Sequence, residues 1–339
     1  MLKICFIMYP WENISPEGDS TLRLIHECVK RGHEVAITTI HDLIIKDSLS
    51  QAFCNIIINT EALPITAESF YKRVKFQREI VILKEFDGIF MRANPPLDAL
   101  ALNFLDAVRD EVFIMNDING LRIANNKLYT ASFQDELATY LPETHVSKNR
   151  NYLTTVFNET PHQKMVLKPL NGFGGKGVIV IDKSAKDSFN SLIDFYVGGS
   201  RGAKGNYVIL QEYVEGAREG DLRILILNGK VIAVARRVPA ANEVRSNIHA
   251  GGHYVKHTLT PQEEKLCELI GPLLVKHGLY FVGIDVINNK LIEVNVQSPG
   301  GIARMNKLYG NKKFQTKVID FLEEAIAKHQ QTLAAKHTL

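Results

Sequence analysis

The chain has little with which to cross a membrane, staple itself covalently or grip a polyanion. No apolar run in its 339 residues approaches the ~20 that a membrane-spanning helix needs. The apolar start, Met1 to Met8, gives way to Trp11, Glu12 and Asn13 with no small-residue cleavage site, so it reads as a first strand and not a signal peptide. The 4 cysteines, Cys5, Cys28, Cys54 and Cys267, include no C-x-x-C pair and sit among apolar neighbours. They read as buried thiols of a reducing compartment, and a cytoplasmic location is the expectation. The formal net charge is only +3, and no basic run or aromatic-basic ladder argues for nucleic acid. Internal repeats and low-complexity stretches are missing too. So is any Ser/His/Asp or Cys/His pattern, which leaves no candidate protein nucleophile.

What remains is ordinary for a protein with a sizeable core: 45% hydrophobic and 23% charged residues. At about 100–200 residues per domain the length suggests two or three units. The first ~120 residues alternate strand and helix signals: a strand at Ile4 to Tyr9, a helix at Ser20 to Arg31 ended by Gly32, and a strand at Glu34 to Ile40. Further strands are expected at Asp87–Arg92 and Glu111–Met115, around a helix at Leu97–Arg109. Such βαβ order implies a parallel, Rossmann-like sheet. A dinucleotide there would need G-x-G-x-x-G in the first βα turn, but Tyr9 to Asp19 holds a single glycine. Asn119–Asn126 looks like a boundary, with a helix at Lys127–Thr139 beyond it. The later residues are richer in antiparallel-type strands, with helices at Ala185–Tyr196, Pro261–His277 and Lys313–His329 and a frayed tail over the last ten residues. The fold class is therefore α/β, turning α+β in the C-terminal part.

The most informative segment is Phe281–Val296. Two β-type runs flank Asn288-Asn289-Lys290. Alternation along a strand points Ile284, Val286, Ile292 and Val294 to one face, and Asp285, Glu293 and Asn295 to the other. A three-residue turn at Asn288 to Lys290 would set Asp285 opposite Glu293. Paired carboxylates repel unless a cation or proton separates them, and three hard oxygen donors suit Mg²⁺ that shares its shell with phosphates. A polar sheet face turned to water is the plain alternative.

Lys168-Pro-Leu-Asn-Gly172-Phe-Gly174-Gly175-Lys-Gly177 carries G-x-G-x-x-G between two strands, so it is neither a Rossmann turn nor a P-loop. Such a loop can fold over nucleotide phosphates, because glycines let backbone N–H groups approach them. A flexible hairpin tip is the alternative. Lys168 would put a point charge on phosphate, unless it is an exposed lysine at a sheet edge. Lys127 opens a helix, where the dipole disfavours a lone cation, so an anion nearby would explain it; otherwise it is a solvated side chain. Asn228-Gly229 marks a hairpin that carries Arg223 and Arg237, each able to clamp phosphate or carboxylate.

The order Asn126-Lys127-Leu128-Tyr129-Thr130, Lys168-Pro169-Leu170-Asn171-Gly172, Gln211-Glu212-Tyr213-Val214, Gly220-Asp221-Leu222-Arg223, Arg237-Val238-Pro239, Arg245-Ser246-Asn247, Gly283-Ile284-Asp285 and Glu293-Val294-Asn295 resembles the ATP-grasp ligases, most closely the bacterial glutathione synthetases. Asp19-Ser20-Thr21 and Met91-Arg92-Ala93-Asn94-Pro95-Pro96 extend the likeness to nearly the whole chain. The resemblance implies an N-terminal domain (1–122) ahead of a two-lobed ATP-grasp fold, with a lid lobe (123–205) and a catalytic lobe (206–330).

It also implies roles. Lys127 and Lys168 would hold ATP phosphates under a Gly172–Gly177 lid. Gln211, Glu212, Tyr213 and Val214 would meet adenine, Glu212 and Val214 through their backbone, and Asp221 the ribose side. Arg223 and Arg237 would stabilise the phosphoryl group and an acyl phosphate. Asp285, Glu293 and Asn295 would hold two Mg²⁺ ions, with Mn²⁺ an alternative. Asp19, Arg92, Arg245, Asn247 and Ser298 are candidate substrate contacts, and a homo-oligomer is expected. The implied reaction joins γ-glutamylcysteine to glycine through an acyl phosphate, and needs cations and positioning, not a nucleophile.

The chain departs from the family after Asn295. Where the family reads Thr-Ser-Pro-Thr-Gly-Ile-Arg-Glu, it has Gln297-Ser298-Pro299-Gly300-Gly301-Ile302-Ala303-Arg304. A sister ligase with another dipeptide or amine, or a silent ATP-binding regulator, are the rival readings.

Overall fold

The structure, a computed structural model, describes residues 1–58, 63–171, 177–198, 206–239 and 252–336. Three sheets follow one another along the chain. The first has seven strands: β1 (Lys3–Met8), β2 (Glu34–Thr38), β3 (Leu43–Lys46), β4 (Leu49–Ile58), β5 (Lys75–Ile82), β6 (Gly88–Arg92) and β7 (Phe113–Met115). Their order is β3-β4-β2-β1-β6-β7, with β5 also on β4. Strands β2, β1, β6 and β7 run parallel, as the alternating pattern predicts. The sheet as a whole is mixed, because β3, β4 and β5 join it antiparallel. The turn between β3 and β4 is Asp47-Ser48, both at positive φ. That is a weaker signal than Asn-Gly, so the hairpin is hard to see in the sequence.

Helix α1 (Ser20–Lys30) starts where the Asp19 carboxylate accepts from the Leu22 N–H, and Gly32 takes the left-handed conformation after it. Helices α2 (Ala67–Arg73), α3 (Ala99–Asp106) and α4 (Ile118–Ala124) complete this unit. α3 is shorter than the expected Leu97–Arg109 at both ends, because Asp98 caps its start and it stops at Asp106. Residues 127–139 do not form one helix. They form α5 (Leu128–Ala131) and α6 (Asp135–Ala138), separated by residues 132–134, with Gln134 extended and Asp135 at positive φ.

The second sheet holds β8 (Thr144–Ser147), β9 (Lys164–Pro169), β10 (Ile179–Asp182) and β11 (Val208–Glu212), in the antiparallel order β10-β9-β11-β8. Helices α7 (Arg150–Glu159) and α8 (Lys186–Val197) cover it, with Phe157 and Phe189 stacked at 3.9 Å in a small core of their own.

The third sheet is antiparallel throughout: β12 (Asp221–Leu227), β13 (Lys230–Val238), β14 (His253–Val255), β15 (Phe281–Ile287) and β16 (Lys290–Asn295), ordered β14-β13-β12-β15-β16. Helix α9 (Pro261–Lys276) packs on it behind a Thr260–Glu263 capping box. Helices α10 (Ile302–Leu308) and α11 (Phe314–Lys336) close the chain.

The first and third sheets are joined directly. Asn116 donates through Nδ2 to the carbonyls of Phe281 (2.9 Å) and Val296 (2.8 Å), and its Oδ1 accepts from the Phe281 N–H. α11 folds back onto α1, where Arg31 and His33 both meet Glu323 at 2.7 Å. The frayed tail expected over the last ten residues is instead helix as far as Lys336. No helix among the described residues is long and apolar enough to cross a membrane.

Candidate active site

The β15–β16 hairpin sets the site. Asn288 and Asn289 both take positive φ and form a two-residue turn, not the three-residue one expected, since Lys290 already pairs with Ile287. Asp285 nevertheless lies opposite Glu293, and Asn295 opposite Gly283. A bulge between Asp285 and Val286 reconciles the two facts. It turns Leu291 into the core with Ile284, Val286 and Val294, and leaves Ile292, expected on that core face, half-buried on the cavity wall.

Strand β12 adds the cations. Arg223 pairs in register with Asp285, donating from Nε to Oδ1 (2.6 Å) and from Nη2 to Oδ2 (3.0 Å). Arg237 lies across from Asp221, not from Arg223, and donates from Nε to Asp221 Oδ1 (2.8 Å). Its Nη2 reaches Asp285 Oδ2 at 3.1 Å. All four side chains are buried. Burial alone would raise the Asp285 carboxyl, but Arg223 and Arg237 outweigh it and hold the group below 3.8. Burial likewise opposes the Arg237 charge, and Asp285 and Asp221 reverse that and raise it. Asp221, expected near a ribose, thus has its carboxylate engaged by Arg237.

Two lysines face this hairpin. Lys127, just before α5, meets Glu293 Oε1 at 3.1 Å. Lys168 is not an edge lysine. It sits on an inner strand, 6% exposed, and its Nζ donates to Gln211 Oε1 at 2.9 Å. Gln211 is held in turn by Thr144 Oγ1 at 2.7 Å. Burial depresses the Lys168 ammonium to about 8, Glu293 works against that, and Lys127 adds to it.

These groups line one cavity of about 1070 Å³. Glu212, Tyr213 and Val214, at the end of β11, line it together with Val166 and Val180 of the same sheet. Asp19, Arg92 and Ser298 also line it. Gly177 is not on the wall; it takes a positive φ and its carbonyl accepts from the Tyr196 hydroxyl at 2.9 Å. Gly172, Gly174, Gly175, Arg245 and Asn247 lie outside the described residues.

The donor set fits a hard divalent cation. Asp285 and Glu293 bring two carboxylates together on one hairpin, and Asn295 donates through Nδ2 to Asp285 Oδ2 at 3.2 Å, leaving its own Oδ1 as a third hard donor. Both carboxylates already carry side-chain cations, so a metal held here would share them with Arg223, Arg237 and Lys127.

Some groups in or beside the cavity were not assigned a role from the sequence. Tyr9 donates its hydroxyl to Asp19 Oδ2, and burial, with Asp19, pushes the phenol up. His162 Nε2 lies 2.9 Å from Glu143 and 3.2 Å from Glu212, on the rim of the second sheet. Arg304 reaches the cavity from the first turn of α10. Only Arg304 had a sequence signal, because it stands one place after the family's arginine.

Comparison with known proteins decides the family. The model for the prokaryotic glutathione synthetase ATP-grasp domain matches residues 126–310, and that for the N-terminal domain of the same enzymes matches residues 2–122. The chain belongs to the prokaryotic glutathione synthetase family. A glutathione synthetase of Gloeobacter violaceus is 33% identical over 336 residues, covering 95% of this chain and 97% of the relative. One from Synechocystis sp. is 34% identical over 332 residues, covering 95% and 99%. Among solved structures, a D-cycloserine synthetase aligns with a TM-score of 0.62 at 15% identity, covering 94% of this chain and 99% of that one, a likeness of fold. The fold is thus the α/β ATP-grasp architecture that the motif order implies.

Proposed function

We propose that this chain is a glutathione synthetase: it joins γ-glutamylcysteine to glycine at the expense of ATP, releasing ADP and phosphate. The observation that carries the reading is the Asp285–Glu293 register, with Arg223 and Arg237 converging on Asp285 and Lys127 on Glu293. It concentrates paired charge where a phosphoryl group must cross between two anions, in a chain 31–34% identical to glutathione synthetases over most of its length.

The substrate carboxylate attacks the γ-phosphorus in line, ADP leaves, and the acyl phosphate forms. The amine then attacks the acyl carbon and inorganic phosphate departs. Lys168 and Lys127 hold the phosphates, and Arg223 and Arg237 stabilise the charge that develops on the transferred group. Asp285, Glu293 and Asn295 would hold Mg²⁺, with Mn²⁺ able to replace it, and the metal would neutralise phosphate charge. Glu212 and Val214 offer backbone groups to adenine, and Tyr213 an aromatic face. Asp19, Arg92 and Ser298 face the peptide substrate. The chain is divided into 1–122, 123–205 and 206–330, with β11 of the second sheet falling at the start of the third unit.

The test is ADP release with γ-glutamylcysteine plus glycine against a panel of other acids and amines. Turnover with other pairs but not this one points to a sister ligase. Silence on every pair points to an ATP-binding regulator.

A further inference from the structure

The second sheet carries a group of donor side chains that the phosphoryl chemistry does not use. Glu143 stands one residue before β8, His145 lies on β8, His162 lies between α7 and β9, and Glu212 ends β11. Strands β8 and β9 both pair with β11, so stretches of chain far apart in sequence meet at one end of the sheet. His162 Nε2 lies 2.9 Å from Glu143 Oε2 and 3.2 Å from Glu212 Oε2. One ligand atom from each of these three residues comes within 4.8 Å of the other two. His145 Nε2 meets the remaining Glu143 oxygen, Oε1, at 2.9 Å, and its Nδ1 meets the Tyr152 hydroxyl at 2.9 Å.

Strand register puts this group on the face away from the phosphate lysine. Gln211 and Thr144 are partners in register, hydrogen-bond to each other, and hold Lys168. Side chains alternate along a strand, so Glu212 shares the opposite face with Leu210, a member of the small core beneath α7 and α8. Glu143 and His145 flank Thr144 and share that face too. The backbone around them is tied down. The Glu212 N–H donates to the Glu143 carbonyl at 2.9 Å, the His162 N–H to Thr160 Oγ1 at 3.3 Å, and the Lys183 N–H to the Gln163 carbonyl at 2.8 Å.

The charges do not balance within the group. Two carboxylates converge on one imidazole nitrogen, which carries at most one proton and donates it along one line. Neither carboxylate meets a lysine or arginine among the described residues, whereas Asp285 and Glu293 each do. Carboxylates this close repel unless a cation or proton separates them. Hydrogen bonds from His145, then from His162, hold the Glu143 carboxyl below its ordinary value, so it is charged at neutral pH. The spacing also fits a metal. Tetrahedral zinc with nitrogen and oxygen ligands at about 2.0–2.1 Å sets neighbouring ligand atoms about 3.3 Å apart, close to the separations around His162. One imidazole and two carboxylates suit Zn²⁺ with a fourth position open to water, whereas Mg²⁺ prefers oxygen alone. A ligating carboxylate is normally hydrogen-bonded in turn, and His145, held by Tyr152, does this for Glu143. Partial exposure of the three ligands, 43, 32 and 19% in chain order, leaves a path for a cation to enter.

We propose that Glu143, His162 and Glu212 form a binding site for a divalent cation of the zinc class, with His145 orienting Glu143. The site is separate from the oxygen-donor hairpin of Asp285 and Glu293, and it does not depend on the ligase reading. A cation bound there ties the start of β8 and the end of β11 to the α7–β9 connection. It thereby stiffens the strand end that leads into Tyr213 and Val214.

Calorimetric titration of the tag-free full chain with Zn²⁺, in excess Mg²⁺ and without nucleotide, tests it. Wild type should bind one equivalent that Mg²⁺ does not displace. His145→Phe should weaken that binding about tenfold, the usual effect of removing a group that orients a ligand, and His162→Ala should weaken it further. Glu293→Gln should leave it unchanged. Thermal unfolding supplies a second reading: Zn²⁺ should raise the midpoint of wild type and of Glu293→Gln, but not that of His162→Ala. If His162→Ala does not fold, His162→Gln keeps the shape and carries the same expectation. Equal Zn²⁺ affinity in wild type and the His162 variant overturns the proposal, as does a wild type that takes up no Zn²⁺ under excess Mg²⁺. Loss of the equivalent in Glu293→Gln would place the metal at the hairpin and overturn it as well.

Discussion

Asp285→Asn separates charge from shape at the centre of the site. The asparagine keeps the side-chain outline and one acceptor oxygen but removes the charge that Arg223 and Arg237 share. An Asp285 turned to water on a polar sheet face would tolerate this substitution. With both arginines buried against it, it should not. Removing one member of a buried ion pair costs about 3–5 kcal/mol, because the survivor is left uncompensated. Arg237 keeps Asp221, and Arg223 can still donate to the asparagine oxygen, so the lower end, about 3 kcal/mol, is expected. Urea unfolding of the full chain at pH 7 measures it, and a loss below about 0.5 kcal/mol would refute the reasoning. Adding Arg223→Gln should recover part of the loss, as coupled partners do. The acid limb gives an independent check. The Asp285 carboxyl is held below 3.8, so its contribution is present above that value and disappears as pH falls through the lower folded-state value. The gap between wild type and Asp285→Asn should therefore shrink below about pH 4.

Lys168 makes a basic-limb prediction. Its ammonium is depressed to about 8, so the free enzyme loses this phosphate-binding charge as pH rises through that value, and kcat/KM for ATP should fall. Lys168→Arg should remove that break, and a flat wild-type profile to pH 9.5 would contradict the assignment. Because the folded value lies below 10.5, burying the charge costs stability below about pH 8, a cost relieved as pH rises toward the unfolded value. Gly271→Ala probes the support behind the sheet, where a Cβ would sit 2.2 Å from the Gly229 carbonyl, a backbone atom that cannot swing aside. It should cost about 1–3 kcal/mol in thermal unfolding, and a neutral result would mean that α9 and the β12–β13 turn separate easily.

The hairpin was legible because strand alternation is local: Asp285, Glu293 and Asn295 fall on the expected face, and their pairing follows from a short Asn-containing turn. The bulge that moves Ile292 was not legible, since it depends on how β16 meets β15 and not on the residues of either run. The β3–β5 extension escaped for a similar reason. Asp47-Ser48 is a modest turn signal, and β5 is largely exposed, so its apolar pattern is faint. Arg223 and Arg237 were legible as clamps but not as partners of Asp285, because that contact spans three strands. The burial of Lys168 was likewise invisible, since strand order, not sequence, decides which strands are inner. The helix expected over Lys127–Thr139 failed because the chain leaves α5 at Ser132 and restarts only past an extended Gln134, at a left-handed Asp135.

The central claim is that a substrate carboxylate becomes an acyl phosphate in this cavity. The most direct measurement uses γ-glutamylcysteine labelled with ¹⁸O in its cysteinyl carboxylate, incubated with ATP, Mg²⁺ and glycine, with mass analysis of the phosphate released. Attack of that carboxylate on the γ-phosphorus places one labelled oxygen in each phosphate formed. Unlabelled phosphate alongside peptide product would contradict it.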